Sequence, residues 1–150
     1  MKPRLDYTKA SAHALKAMYA LQAAVNNSGL EKPLMELIKL RASQINGCAF
    51  CIDMHFREAQ SAGESPQRLY LLDAWREAPV YTDRERAALA WTEAVTLVSA
   101  SHVPDEVYEE ARKHFNETEL VNLTLAVVAI NGWNRFSISF RAMPSAAQKS

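Results

Sequence analysis

The sequence contains little glycine and almost no alternation of apolar with polar residues. Only four of its 150 residues are glycine. β-Sheet domains need many turn residues and a two-residue apolar period, whereas apolar residues here recur every three to four positions. The scarcity of glycine and this spacing together predict an all-α, compact helical domain, with residues 1–150 forming one domain.

An excess of charge of one sign is also missing. The chain has 17 Lys and Arg residues against 17 Asp and Glu, for a formal net charge of zero. Nucleic-acid-binding proteins usually carry a basic excess, so we expect no nucleic-acid partner. No apolar run is long enough to span a bilayer, and residues 1–6 lack the apolar core of a signal peptide. We therefore expect no membrane partner and a cytoplasmic location.

Capping residues and apolar periodicity predict about seven helices. The starts are marked by helix-capping residues or by proline in the first turn, and the ends by glycine or by a loss of periodicity. The predicted helices run over residues 11–26, 33–46, 48–62, 65–75, 82–98, 104–115 and 116–140. Residues 99–103 are predicted to form a loop, and residues 144–150 a frayed tail.

Both cysteines of the chain lie in one stretch, residues 36–55, together with a histidine. Cys48 and Cys51 are three residues apart, and His55 follows four residues later. At about 100° per residue, all three fall on one narrow stripe of a helix that begins after Gly47. Thiols are held reduced in the cytoplasm, so this spacing indicates a redox or metal-binding pair rather than a static disulfide.

The chemistry expected of this stripe is a reversible dithiol–disulfide exchange. Helical residues three apart are neighbours at roughly 5–6 Å, which is within disulfide range. A helix N-terminus stabilises a thiolate, and His55 lies one turn beyond Cys51, where it can take up a proton. Two antiparallel helices joined at Gly47 would bring Glu36 to the level of His55, where a carboxylate would orient the imidazole.

The pattern Glu36, Cys48-x-x-Cys51-x-x-x-His55 resembles the motif of alkyl hydroperoxidase D-like proteins of the carboxymuconolactone decarboxylase superfamily. The likeness extends to residues 81–89 and to Asn131-Gly-Trp-Asn-Arg. It implies an all-helical fold, a homo-oligomer (trimer or hexamer) and a thiol peroxidase activity on hydroperoxides. By the same resemblance, Cys51 attacks the peroxide, Cys48 resolves the sulfenic acid, and His55 and Glu36 relay protons.

The resemblance also implies that no cofactor is bound and that an external dithiol, on a lipoylated or thioredoxin-like protein, resets the enzyme. One position departs from the pattern. Alkyl hydroperoxidase D has a second histidine just before the nucleophile, and this chain has Phe50 there. The proton relay therefore has one histidine fewer. This difference affects the expected peroxidase efficiency and the expected reductant.

Several other functions remain open on the residues alone. The cysteine pair also suits a disulfide reductase or a redox sensor. A zinc-binding helical assembly module would use Cys48, Cys51 and His55, with Glu36, His102 or His114 as the fourth ligand. The least specific interpretation is two small buried apolar side chains with no chemistry.

Three further expectations concern the surroundings of the stripe. Arg41 is expected to extend its charged end to solvent, with a buried pair to Glu85 or Glu93 as the alternative. Glu58 is expected to be solvated, although it lies near His55 on the helical wheel. Ile45-Asn46-Gly47 is echoed by Ile130-Asn131-Gly132, and both a degenerate repeat and chance remain open.

Overall fold

The computed structural model describes residues 1–144, and over that range the chain is all helical. Most of the predicted frayed tail lies outside the described residues. The helices are α1 Tyr7–Ala10, α2 Ala12–Asn26, α3 Lys32–Asn46, α4 Ala49–Ser61, α5 Pro66–Tyr70, a 3₁₀ turn Leu72–Ala74, α6 Asp83–Thr96, α7 Val98–Ser101, α8 Asp105–His114 and α9 Glu117–Phe140. The predicted fold class is confirmed.

The seven predicted helices are all present, and two further one-turn helices were not predicted. Helix α1 begins after Asp6, whose side chain accepts a hydrogen bond from the Thr8 N–H. Helix α7 occupies most of the segment that was predicted to be a loop, and the predicted fourth helix divides into α5 and the 3₁₀ turn. Four-residue helices carry too few apolar positions to show a period, which is why the sequence did not reveal them.

Helix α3 is the central element of the fold. It packs against α4, α6 and α9, and its side chains Leu37, Ile38 and Ala42 are fully buried. Two apolar clusters flank it, one built largely from α3, α6 and α9, the other from α3, α4 and the segment around α5. Burial of apolar side chains in these clusters therefore fixes the positions of α3 and α4, the two helices that carry the predicted site residues.

Helices α6 and α9 begin where capping residues predicted them, and a capping box fixes each start. At each, the cap side chain accepts a hydrogen bond from the third helical N–H while the glutamate there binds back to the cap. The pairs are Thr82 with Glu85 and Asn116 with Glu119. Within residues 1–144, no helix combines the length and the apolar character that crossing a membrane requires.

The expectation for Arg41 is wrong, and its alternative holds. Arg41 does not extend to solvent: its side chain is 12% exposed, and Nε lies 2.8 Å from Glu93 Oε1. Glu93 also accepts a hydrogen bond from Trp75 Nε1 at 2.8 Å and pairs with Arg76 at 2.6 Å. The second proposed carboxylate, Glu85, pairs with Arg68 instead. Tertiary packing of α6 on α3 decided this contact, and no local sequence signal carries that information.

Candidate active site

The turn between α3 and α4 positions the two cysteines. Gly47 ends α3 in the left-handed conformation, with φ of 69°, which glycine adopts without steric cost. Cys48 follows as the N-cap of α4, and its Sγ accepts a hydrogen bond from the Cys51 N–H at 3.3 Å. The cysteine pair therefore lies at a helix N-terminus, as predicted.

Cys48 and Cys51 form a disulfide, with their Cα atoms 5.3 Å apart. Each residue is only 1% exposed. The Cα separation lies within the range that disulfides need, so the dithiol and disulfide forms can interconvert without moving the helices apart. In this disulfide-bonded form neither sulfur is a thiolate ligand for a metal.

His55 lies one turn further along α4 and is held by two carboxylates. Its Nδ1 lies 3.3 Å from Glu36 Oε2 on α3 and 3.2 Å from Glu58 Oε2 on its own helix. The contact with Glu58 has hydrogen-bond geometry, whereas Glu36 Oε2 is buried and receives no hydrogen bond. The structure thus brings Glu36 to His55, as the antiparallel arrangement of α3 and α4 predicted.

Glu36 also forms an ion pair that the sequence analysis did not consider. Its Oε1 accepts a hydrogen bond from Lys39 Nζ at 2.9 Å, and both side chains are mostly buried. Burial raises the pKa of Glu36, but its contacts with His55 and Lys39 outweigh burial and hold that pKa below its ordinary value of 4.5. The carboxylate is therefore ionised at neutral pH and can stabilise a protonated His55.

Two residues of the site were missed or misjudged. Glu58 was expected to be solvated, but it contacts His55 although its side chain is 55% exposed. Lys39 was not singled out at all. The three-residue spacings of Glu58 from His55 and of Lys39 from Glu36 were visible signals, because residues three apart on a helix are neighbours.

Phe50, in the first turn of α4, is half-buried.

The set of possible metal ligands differs from the predicted one. Among residues 1–144, the ligand atoms of Glu36, His55 and Glu58 lie within 4.8 Å of one another. The cysteines do not belong to this group, and neither do His102 and His114, which were the other candidates for a fourth ligand. His114 lies instead against Glu110, at 3.3 Å.

Two local effects act on the sulfurs in opposite directions. The N–H of Cys51 points to the sulfur of Cys48, so a negative charge on Cys48 would be stabilised by the helix N-terminus. His55 follows Cys51 at a spacing of four, which places its imidazole over the same face as Cys51. The first effect favours Cys48 as the thiolate and the second favours Cys51.

Comparison with known proteins identifies the family of this chain. Residues 11–94, more than half of the chain, match the carboxymuconolactone decarboxylase family, and this range includes all four predicted site residues. The chain belongs to the carboxymuconolactone decarboxylase family. Among family members, the uncharacterised protein YdfG of Bacillus subtilis is 42% identical over 139 residues, which is 93% of this chain and 95% of that protein.

Two further relatives connect the family to AhpD. A crystal structure of a protein of unknown function from Agrobacterium tumefaciens, provisionally named an antioxidant defence protein AhpD, is 49% identical with a TM-score of 0.95; the match covers 97% of this chain and 99% of that chain. Alkyl hydroperoxide reductase AhpD of Rhodospirillum centenum is 39% identical over 82 residues, 51% of this chain and 42% of that protein. The chain is therefore an AhpD-like member of its family.

Proposed function

We propose that this protein is an antioxidant thiol peroxidase that reduces hydroperoxides through Cys48 and Cys51. The observation that carries the proposal is the cysteine pair in the first turn of α4, followed one turn later by a histidine that two carboxylates hold. The AhpD relatives support the same chemistry, since their names place them among alkyl hydroperoxide reductases or antioxidant defence proteins.

The proposed cycle has three steps. The Cys51 thiolate attacks one peroxide oxygen, the O–O bond breaks, and the departing alkoxide takes a proton from the His55–Glu36 relay and leaves as alcohol or water. The Cys48 thiol then condenses with the Cys51 sulfenic acid, forming the disulfide and releasing water. An external dithiol finally reduces the disulfide and becomes oxidised itself.

The reductant is proposed to be a lipoylated or thioredoxin-like protein, with no cofactor bound to this chain. Because each cysteine is 1% exposed, an attacking thiolate can reach the disulfide only through a narrow opening formed when the residues that cover it move. A lipoyl group on a flexible arm suits such a narrow opening better than a cysteine on the surface of a folded partner. A lipoylated donor is therefore favoured over a thioredoxin-like donor.

The proposal is tested by peroxide consumption in the presence of dihydrolipoamide, thioredoxin or dithiothreitol. We expect many molecules of hydroperoxide to be reduced per chain with at least one of the three reductants, and fastest with dihydrolipoamide. No turnover with any of them would overturn the peroxidase proposal.

The second candidate is a redox sensor or disulfide reductase, and the burial of both sulfurs favours the sensor. A disulfide shielded from reductants persists after the oxidant is gone, which suits a signal better than a rapid cycle. The two functions differ in the same assay: a sensor would consume about one peroxide per chain and then stop, even with reductant present.

We further propose that the chain assembles into a homo-trimer or homo-hexamer. Three valines on α7 and α9 are about half exposed or more: Val98 at 52%, Val121 at 69% and Val128 at 50%. Val121 and Val128 share one face of α9, because they are two helical turns apart. Light scattering is expected to give three or six times the mass of one chain, and the mass of a single chain would contradict the proposal.

A further inference from the structure

A series of buried and partly buried hydrogen bonds joins the turn between α3 and α4 to the middle of α9. Asn46 Nδ2 donates to Asn131 Oδ1 at 3.0 Å and to Asn134 Oδ1 at 2.9 Å. Asn134 Nδ2 in turn donates to Ser43 Oγ at 3.0 Å. The two asparagines of α9 belong to the Asn131-Gly-Trp-Asn-Arg segment, and the two echoed Asn-Gly pairs of the sequence therefore meet in space.

This network reaches Cys48 along two routes. The first passes through Ser43, whose backbone carbonyl accepts the Cys48 N–H at 3.0 Å while its hydroxyl accepts from Asn134. The second passes through Asn46, which precedes Cys48 by two residues. Asn134 thus holds the turn at a point before Gly47 and also, through Ser43, at the backbone N–H of Cys48 itself.

The contact between Asn134 and Ser43 is polar, although apolar side chains would also pack α9 against α3. The use of polar side chains here therefore requires a reason. Asn134 and Ser43 are both fully buried, and a buried amide without partners costs free energy. Here both ends of the Asn134 amide have partners, and Asn131 Nδ2 is also bonded to Thr96 Oγ1 at 3.0 Å. A buried amide with hydrogen bonds at both ends, like that of Asn134, fixes one geometry more narrowly than apolar packing does.

We propose that Asn46 and Asn134 are positioning residues that hold Cys48 where its sulfur reaches Cys51. If the turn is already fixed in the dithiol form, less conformational entropy is lost when the disulfide forms. The effective concentration of the Cys48 thiol at Cys51 is raised accordingly. The name of resolving thiol for Cys48 rests on the proposed function. The positioning does not, because it would act in any dithiol–disulfide exchange of this cysteine pair.

The test is the thiol–disulfide equilibrium of the protein with glutathione. In that reaction, oxidised glutathione takes up two electrons and two protons from Cys48 and Cys51, giving the protein disulfide and two reduced glutathione molecules. Asn46→Ala and Asn134→Ala are each expected to lower the equilibrium constant for disulfide formation about tenfold, because misplaced reacting groups lose effective concentration. The fractions are measured by quenching with an alkylating agent and weighing the intact protein.

Asn122→Ala is the matched control. Asn122 also lies on α9, and its Nδ2 also ties that helix to another segment, at the Ser28 carbonyl 3.1 Å away. It has no hydrogen bond to the cysteine turn. We expect this variant to lose thermal stability to a degree similar to Asn46→Ala, whose side chain is also partly buried, while its equilibrium constant stays within about twofold of the wild type. If Asn134→Ala does not fold, Asn46→Ala, whose side chain is only partly buried, decides the result.

Equal equilibrium constants in wild type and both network variants would overturn the positioning role. An equal drop in Asn122→Ala would also overturn it, since the effect would then follow general stability. The measurement uses no peroxide, so it separates the two proposals. Absence of peroxide turnover together with a tenfold drop would remove the peroxidase function and keep the positioning role.

Discussion

Replacing Cys51 by serine is expected to reduce peroxide consumption to the background of the assay. A serine hydroxyl is not ionised at neutral pH and cannot act as a thiolate nucleophile. Cys51 lies four residues before His55 on α4, and in the proposed cycle His55 serves the proton transfer that accompanies its attack. The measurement is the rate of hydroperoxide loss with excess dithiol reductant.

Replacing Cys48 by serine is expected to give a different result, which makes it the matched control. The Cys51 sulfenic acid would still form, but no thiol would be in place to condense with it. We expect fast consumption of about one peroxide per chain, and then slow consumption of a second as the Cys51 sulfenic acid is oxidised to the sulfinic form, visible by mass. The reversed pattern, with one turnover in Cys51→Ser and none in Cys48→Ser, would assign the attack to Cys48. The hydrogen bond from the Cys51 N–H to the Cys48 sulfur makes this a real alternative.

Replacing His55 by asparagine is expected to lower kcat/KM for hydroperoxide by roughly 10²–10⁴-fold, the usual contribution of a positioned acid or base. His55 is 6% exposed and in contact with Glu36 and Glu58, so bulk water would not readily replace it in the proposed proton relay. The measurement is peroxide turnover at saturating reductant. A rate constant within about threefold of the wild type would remove His55 from the relay.

Glu36→Gln is expected to lower kcat/KM for hydroperoxide less than His55→Asn does, because in the proposed relay Glu36 acts only through His55. The pKa of Glu36 is held below 4.5, so the wild-type carboxylate is charged throughout the neutral range. A glutamine has no such charge at any pH, so raising the pH is not expected to restore the activity of the variant. The depressed pKa also makes Glu36 stabilise the fold above pH 4.5, and this stabilisation is lost as the pH falls through the folded-state pKa. Glu36→Gln should therefore show a shallower loss of stability on acidification.

A surface pair provides the control for both substitutions. His114 and Glu110 on α8 lie 3.3 Å apart and repeat the histidine–glutamate contact away from the cysteines. His114→Asn and Glu110→Gln are expected to leave peroxide turnover within about twofold of the wild type. A comparable loss in these variants would mean that the effect at His55 reflects stability and not proton transfer.

The parts of the structure that the sequence revealed are those that local spacing determines. The capping boxes at Thr82 and Asn116, the left-handed Gly47 and the common face of Cys48, Cys51 and His55 all follow from residues within one or two turns of each other. Glu36 required two further steps, the antiparallel pairing of α3 and α4 and the family resemblance, and its predicted proximity to His55 is confirmed.

The parts that the sequence did not reveal depend on long-range packing. The Arg41–Glu93 pair joins residues 52 apart, and the Asn46–Asn134 hydrogen bond joins residues 88 apart. No periodicity encodes which face of α6 or α9 meets α3 at a particular residue. The sequence shows the repeated Asn-Gly pair. It does not show that the two copies contact each other in the structure, because residue spacing carries no information about distant contacts.

The central claim is that Cys48 and Cys51 are a redox pair that hydroperoxide oxidises, and one mass measurement tests it most directly. The reduced protein is treated with a slight excess of hydroperoxide, the remaining thiols are alkylated, and the intact chain and its peptides are weighed. The account predicts the loss of two hydrogens, no alkylation, and one linked pair of peptides joining Cys48 to Cys51. Two free thiols after peroxide treatment, or one zinc ion per chain with both thiols protected beforehand, would contradict it.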